Sequence, residues 1–168
     1  QVSNYVLYPA DSVLLFRVDN AWRVLQRIQK KHICQLVRSS AQSIPHDSLT
    51  VVQLNSAVFD TAGMADLTTN RINILRSGRY LITFSSSSGN YVSAGQIWQA
   101  LATVNGNGVV IARAYSTNSN YTVTASNSTV QDLSAGDYIQ LALYQNTGAS
   151  QNTPTDVLER PQLSVIEL

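Results

Sequence analysis

The chain has 168 residues, a length typical of one domain and sufficient to bury a core without a metal or a disulfide. Only 12% of the residues are charged and the net charge is +1, so no overall field favours nucleic acid as a partner. A single cysteine excludes an internal disulfide, and no apolar run approaches the ~20 residues that a membrane span needs.

Basic residues concentrate near the start of the chain. Up to residue 46 there are six basic residues against two acidic ones, a balance of +4, and the remainder holds five arginines against eight acidic residues, a balance of −3. This asymmetry fits either a solvated basic face or an arm that docks on an acidic partner.

The first predicted element is a small hairpin. Residues 13–18 form one strand, and residues 22–25 pair back across a turn at 19–20. Residues 25–38 are compatible with a short helix, but their end, 33–37, also reads as a strand, which is the interpretation we favour.

From residue 49 onward, short β-type runs alternate with turn residues, as in a sandwich or barrel. The predicted strands are 49–54, 72–74, 80–84, 97–104, 109–112, 138–144 and 163–166. Residues 85–89 and 146–156 are predicted loops, and residues 114–129 are read as a polar-faced strand. Asn105-Gly106 is typical of a hairpin turn that needs positive φ. The pattern predicts an all-β, antiparallel chain.

The residue patterns of common catalytic and ligand sites are missing from the sequence. His32 and His46 are lone histidines, whereas zinc sites usually cluster three or four ligands. Asp60 and Asp66 flank Gly63 and are either solvated turn residues or ligands of a calcium ion, without the EF-hand spacing. We therefore expect no enzyme activity, no cofactor, no metal and no nucleic-acid partner.

Eight short motifs follow one another along the chain from residue 41 onward. They are Ala41-Gln42-Ser43-Ile44-Pro45, Thr50-Val51-Val52, Phe59-Asp60-Thr61-Ala62-Gly63-Met64, Arg71-Ile72-Asn73-Ile74, Gly78-Arg79-Tyr80-Leu81-Ile82, Asn105-Gly106, Leu133-Ser134-Ala135-Gly136-Asp137-Tyr138 and Gln145-Asn146-Thr147-Gly148. Their order and spacing, over about three-quarters of the chain, resemble the complement 1q and tumour necrosis factor (TNF) jelly-roll family, particularly its phage and bacterial members.

This resemblance implies an antiparallel jelly-roll sandwich that packs as a homotrimer. Tyr80, Ile82 and Phe84 are the trimer-interface candidates, with packing inside one chain as the alternative for Tyr80. Residues 41–168 would form the jelly roll and residues 1–40 an N-terminal hairpin arm. The sequence has no collagen-like stalk, and its first hairpin resembles those found beside such domains in phage structural proteins, which implies a location in the virion.

The function that follows is a trimeric capsid decoration, or cement, protein without membrane insertion. Its arm would clamp the major capsid protein or another virion protein. The capsid-contact candidates are Trp22, Arg23, Leu25, Arg27, Lys30 and Lys31, because arginine and lysine bond carboxylates and the two apolar side chains add anchoring.

The alternative is a tail or head fibre tip, that is, a receptor-binding protein that contacts host surface glycans. The loops at 85–96, 116–129 and 146–156 are rich in Ser, Thr and Asn. In this interpretation Tyr91, Trp98 or Tyr121 stacks on sugar rings.

Overall fold

The computed structural model of the chain describes residues 12–18, 21–28, 30–117 and 121–168. These residues form strands and turns and contain no helix, so none of them lies in a helix that crosses a membrane. The strands are β1 (Ser12–Val18), β2 (Ala21–Ile28), β3 (Ile33–Val37), β4 (Ser43–Ile44), β5 (Thr50–Val51), β6 (Ser56–Asp60), β7 (Ala65–Asp66), β8 (Arg71–Asn73), β9 (Gly78–Ser87), β10 (Ile97–Val104), β11 (Asn107–Tyr115), β12 (Thr124–Leu133), β13 (Tyr138–Gln145), β14 (Gln151–Asn152) and β15 (Gln162–Glu167).

Two antiparallel sheets build the body of the protein. One has the order β12-β9-β15-β3-β6, and the other has the order β11-β10-β13-β8-β7 with β5 also paired to β13. Side chains alternate along a strand, so each sheet turns every second residue inward, and the two inner faces meet in one core. The largest fully buried side chains are Trp98, Tyr80, Leu36, Ile44, Leu54, Met64, Ile72, Ile74, Ile82, Ile139, Leu141 and Leu143. The predicted all-β antiparallel sandwich is confirmed.

The N-terminal hairpin forms a sheet of its own. β1 and β2 pair with each other, and in the described residues they join neither large sheet. β3 follows and pairs with β15 on one side and β6 on the other, which confirms the strand favoured for residues 33–37. Cys34 and Leu36 of β3 lie in the core. The sheet therefore begins at Ile33, N-terminal to the boundary that the sequence placed at residue 41.

The serine run after Phe84 is a strand, contrary to the loop predicted at 85–89. β9 continues to Ser87, and Ser86, Ser87 and Ser88 are buried. Tertiary bonds override the weak β-propensity of serine here. The Trp98 indole N–H donates to the Ser86 carbonyl at 3.2 Å, and the Ser87 hydroxyl bonds the Thr124 hydroxyl at 2.7 Å.

Of the strand predicted at 49–54, only β5 is present.

The hairpin predicted at Asn105-Gly106 is present. These two residues have φ values of 52° and 80° and form a two-residue connection between β10 and β11. Positive φ at both central residues is the requirement of a type I′ turn, which asparagine and glycine meet at low cost.

Candidate interaction surfaces

The three side chains predicted for a trimer interface belong to the core of a single chain. Tyr80, Ile82 and Phe84 of β9 are at most 3% exposed, and the Tyr80 hydroxyl donates to the Arg76 carbonyl at 2.7 Å. Burial, together with the nearby Glu167 carboxylate, raises the pKa of Tyr80 to about 12. That part of the prediction is corrected, because side chains that fill the core offer no surface to a partner. The opposite face of β9 remains available.

That opposite face carries an apolar row across four adjacent strands. Val130 of β12 lies opposite Leu81 of β9, Leu81 opposite Ile166 of β15, and Ile166 opposite Ile33 of β3. Val130 is exposed and the other three are half-buried, and none of the four belongs to the core cluster or packs against it. Cross-strand neighbours of this kind support one another and form a continuous apolar strip on the outside of the sheet.

On the Thr83 side of the apolar row, the same face is polar and is lined without a charged residue. A groove of about 410 Å³ is lined by Gln35, Thr83, Phe84, Ser85, Ser126, Asn127, Ser128, Gln162 and Ser164. The Gln35 side-chain amide donates to Gln162 at 3.1 Å, and the Gln162 amide donates to the Ser85 hydroxyl at 2.7 Å. The chain of bonds joins β3, β15 and β9 and does not involve the hydroxyls of Ser126 and Ser128 on β12, which line the same groove.

A buried ion pair fixes the point at which the N-terminal hairpin leaves the body. Arg76 is only 7% exposed, and its Nε donates to Glu167 Oε1 at 2.9 Å. Its Nη2 bonds the same carboxylate and also the Lys30 carbonyl, the latter at 3.1 Å. Next along the chain from Lys31, the His32 backbone N–H donates to Glu167 Oε2 at 3.0 Å. These bonds attach the end of β15 to residues 30–32.

Electrostatics at this junction favour the ion pair. Burial alone would raise the pKa of Glu167, but the hydrogen bonds from Arg76 and from the His32 amide outweigh it, so the pKa lies below its ordinary value. The imidazole of His32 is fully buried beside the pair, and neither ring nitrogen has a hydrogen-bond partner. Arg76, Glu167 and His32 therefore form a buried polar cluster at the root of the hairpin.

The capsid-contact candidates fall into two groups. Lys30 and Lys31 are exposed at the root. Trp22, Arg23, Leu25 and Arg27 lie on β2, whose side chains are outside the described part of the structure. A register shift between Leu14 and Leu15 leaves Leu25 without an opposite residue on β1.

The two aspartates considered as calcium ligands are engaged by their own turns. Asp60 Oδ1 accepts the N–H groups of residues 62–64, and Oδ2 accepts that of Ala65 at 2.8 Å. Asp66 accepts bonds from the amides and hydroxyls of Thr68 and Thr69. The bonds from both threonines hold the pKa of Asp66 well below its ordinary range. In the described residues, no group of three or more His, Cys, Asp or Glu side chains is placed to hold a metal ion.

Of the three aromatic residues predicted to contact a glycan, one is in the core. Trp98 is fully buried, so its part in glycan stacking is corrected. Tyr91 and Tyr121 are 64% and 62% exposed. Their segments are joined by the backbone bridge between Val92 and Tyr121, in which the Val92 N–H donates to the Tyr121 carbonyl at 2.9 Å.

Comparison with known proteins identifies the fold. Murine APRIL at pH 5.0 matches with a TM-score of 0.63 at 15% identity, over 83% of this chain and 100% of that chain. The globular domain of zebrafish complement 1qA matches with a TM-score of 0.61 at 14% identity, over 83% of this chain and 98% of the other. The Eiger TNF of S. frugiperda matches with a TM-score of 0.58 at 12% identity, over 82% of this chain and 91% of the other.

The fold is a TNF- and complement 1q-like jelly roll. No protein-family model and no curated protein matches the chain. At these identities the likeness is one of fold, and activity and partners have to be argued from the surfaces of this chain.

Sequence reasoning missed two features of these surfaces. The outward apolar row could have been predicted from the sequence, because the alternation that buries Tyr80 and Ile82 also turns Leu81 outward. The pairing of Arg76 with Glu167 could not have been predicted, since 91 positions separate them and neither stands in a recognisable motif.

Proposed function

We propose that the protein is a non-enzymatic, homotrimeric virion structural protein that decorates a phage capsid shell through its N-terminal arm. The observation that carries the proposal is the separation of the β1–β2 hairpin from the jelly roll. The hairpin pairs only with itself in the described residues, while Arg76 fixes its root at the Lys30 carbonyl. A segment built in this way is attached at one end, and its described strands form no backbone ladder with the jelly-roll sheets.

The outward face of the β12-β9-β15-β3 strands supports the homotrimer. Its apolar row gains free energy when a second copy covers it, and the polar groove beside it offers hydroxyl and amide groups for hydrogen bonds across the interface. The charged side chains of β9 and β12 on this face are Arg79 and Asp132, paired with each other at 2.9 Å at one end of the strands. Threefold packing of a sheet face hides such a strip.

The charge of the arm supports a shell partner. Residues 12–31 contain five basic residues and one acidic residue. Charge-assisted bonds from Arg23, Arg27, Lys30 and Lys31 to shell carboxylates would orient the arm, and Trp22 and Leu25 would anchor it.

The test is co-sedimentation with capsids that lack the protein. The shortened chain should begin at Lys30, because a cut at residue 40 would also remove β3, whose Cys34 and Leu36 fill the core. We expect residues 30–168 to remain a folded trimer and to lose capsid binding. Full-length protein with Arg23→Glu and Arg27→Glu should bind at least tenfold more weakly, whereas Arg113→Glu, an exposed arginine on β11, should bind normally. Undiminished decoration by residues 30–168 would contradict the proposal.

A further inference from the structure

The five most exposed large hydrophobic side chains of the described residues gather at one end of the molecule. They are Leu158 at 88%, Val157 at 67%, Tyr91 at 64%, Tyr121 at 62% and Tyr115 at 56%. Single exposed apolar residues are normal on any surface, but a group of large ones marks an interaction site.

Hydrogen bonds between loops place these residues together at the Ser87 end of β9. The Ser87 N–H donates to the Glu159 carbonyl at 3.1 Å, which positions the turn that carries Val157 and Leu158. The loop that follows β9 carries Tyr91 and is bridged to Tyr121.

Tyr115 reaches the same end through β10 and β11. The bond from the Trp98 indole to the Ser86 carbonyl sets the start of β10 beside the end of β9. Tyr115, at the end of β11, lies opposite Ile97, the first residue of β10. We call the surface formed by Tyr91, Tyr115, Tyr121, Val157 and Leu158 the distal pole.

The root of the N-terminal hairpin is at the other end of the same sheet. Glu167, which binds Arg76, pairs with Tyr80 near the start of β9, whereas the distal pole begins at the last residue of that ten-residue strand. At ~3.3 Å per residue, the seven steps from Tyr80 to Ser87 separate the two by about 23 Å. The root of the arm therefore lies at the end of the sheet away from the distal pole.

The distal pole carries charged residues only in the turn at 156–160. No charged residue occurs in 85–98, 114–117, 121–131 or 138–155, the stretches that build it together with the turn at 156–160. That turn contains Asp156, Glu159 and Arg160, and the exposed Asp156 carboxylate accepts the Leu158 N–H at 2.9 Å. With two carboxylates against one guanidinium, the distal pole offers no excess of positive charge to replace the hydration of an anionic ligand.

We propose that the distal pole binds a neutral polysaccharide. A tyrosine ring offers a large, rigid face against which the C–H groups of a sugar ring pack, and its hydroxyl reaches a hydrogen-bond partner at the edge. The intervening Ser, Thr, Asn and Gln side chains supply donors and acceptors for sugar hydroxyls. This binding site goes beyond the decoration role and does not depend on the arm.

The test is an array of immobilised neutral and anionic oligosaccharides probed with the full-length protein. We expect binding to neutral members, a loss of at least tenfold in each of Tyr91→Ala and Tyr121→Ala, and retention in Tyr91→Phe, which keeps the ring. Leu67→Ala, an exposed apolar residue beside β7, serves as the matched control and should bind normally.

Three outcomes overturn the proposal: no binding to any neutral member, stronger binding to anionic members, or capture of a host protein by the distal pole without any array signal. Residues 30–168 should bind the array as the full chain does, so failure of the arm and failure of the distal pole are distinguishable.

Discussion

The strongest stability prediction concerns two arginine–carboxylate pairs that involve strands of the five-stranded sheet. The Arg76–Glu167 pair is buried, with side-chain exposures of 8% and 11%, whereas Arg79 and Asp132 are 64% and 74% exposed. Glu167→Gln removes a charge and leaves the buried Arg76 guanidinium without its counter-charge. Breaking a buried pair in this way costs about 3–5 kcal/mol of unfolding free energy. Asp132→Asn, the matched control, should change stability little, because water screens that pair.

Urea unfolding followed by tryptophan fluorescence measures the difference. With a slope of about 1–3 kcal/mol per molar, Glu167→Gln should lower the midpoint by about 1 M or more, while Asp132→Asn should leave it nearly unchanged. Equal shifts in the two variants would refute the assignment of Arg76 and Glu167 as the bond that holds the root of the hairpin.

The pH dependence of folding stability follows from the direction in which the pKa of Glu167 is shifted. The pKa of Glu167 is lowered in the folded chain, so its contribution is complete above its unfolded value, about 4.3, and is lost as the pH falls through the folded value. The wild-type protein should therefore lose stability below about pH 4.3 more steeply than Glu167→Gln does. An equally steep loss of stability at acid pH in the two proteins would contradict this interpretation.

Other predictions test the faces and the close contacts of the fold. Ile82→Asp should abolish folding, whereas Leu81→Asp on the outward face should fold but elute as a monomer in size-exclusion chromatography with light scattering; a trimeric Leu81→Asp would contradict the proposed interface. Gly89→Ala should lower stability by about 1–3 kcal/mol in thermal unfolding, because the added Cβ would lie 1.9 Å from the Asn152 carbonyl oxygen; an unchanged melting temperature would argue against that contact. Cys34 should react with a thiol reagent only after denaturation, since burial raises its pKa to about 12; rapid labelling of the native protein would count against a buried thiol.

Alternation and turn chemistry made most of the fold predictable from the sequence. The period of two predicted that Tyr80 and Ile82 share one face of β9 and that Ile139 and Leu141 share one face of β13, and Asn105-Gly106 predicted a hairpin. The choice between core and interface for Tyr80 was not predictable, because an apolar face looks the same whether the second sheet or a second chain covers it.

Tertiary contacts explain the elements that sequence reasoning placed incorrectly. Ser85–Ser87 belongs to a strand because the neighbours β12 and β15 pair with it, not because serine favours extended structure. Trp98 was assigned to a ligand surface, although it shares one face of its strand with Ala100 and Ala102, which are buried. Its indole N–H bonds the Ser86 carbonyl inside the core. The distal pole was indicated only by composition, because its residues come from loops that are distant in sequence.

Light scattering of residues 30–168 tests the central claim most directly. The body of the protein is proposed to be a self-sufficient jelly roll that trimerises through the outward face of the five-stranded sheet, with the N-terminal hairpin dispensable for fold and assembly. A folded species with the mass of three chains is the expected result. A folded species with the mass of one chain, at concentrations where the full-length protein is trimeric, would contradict it.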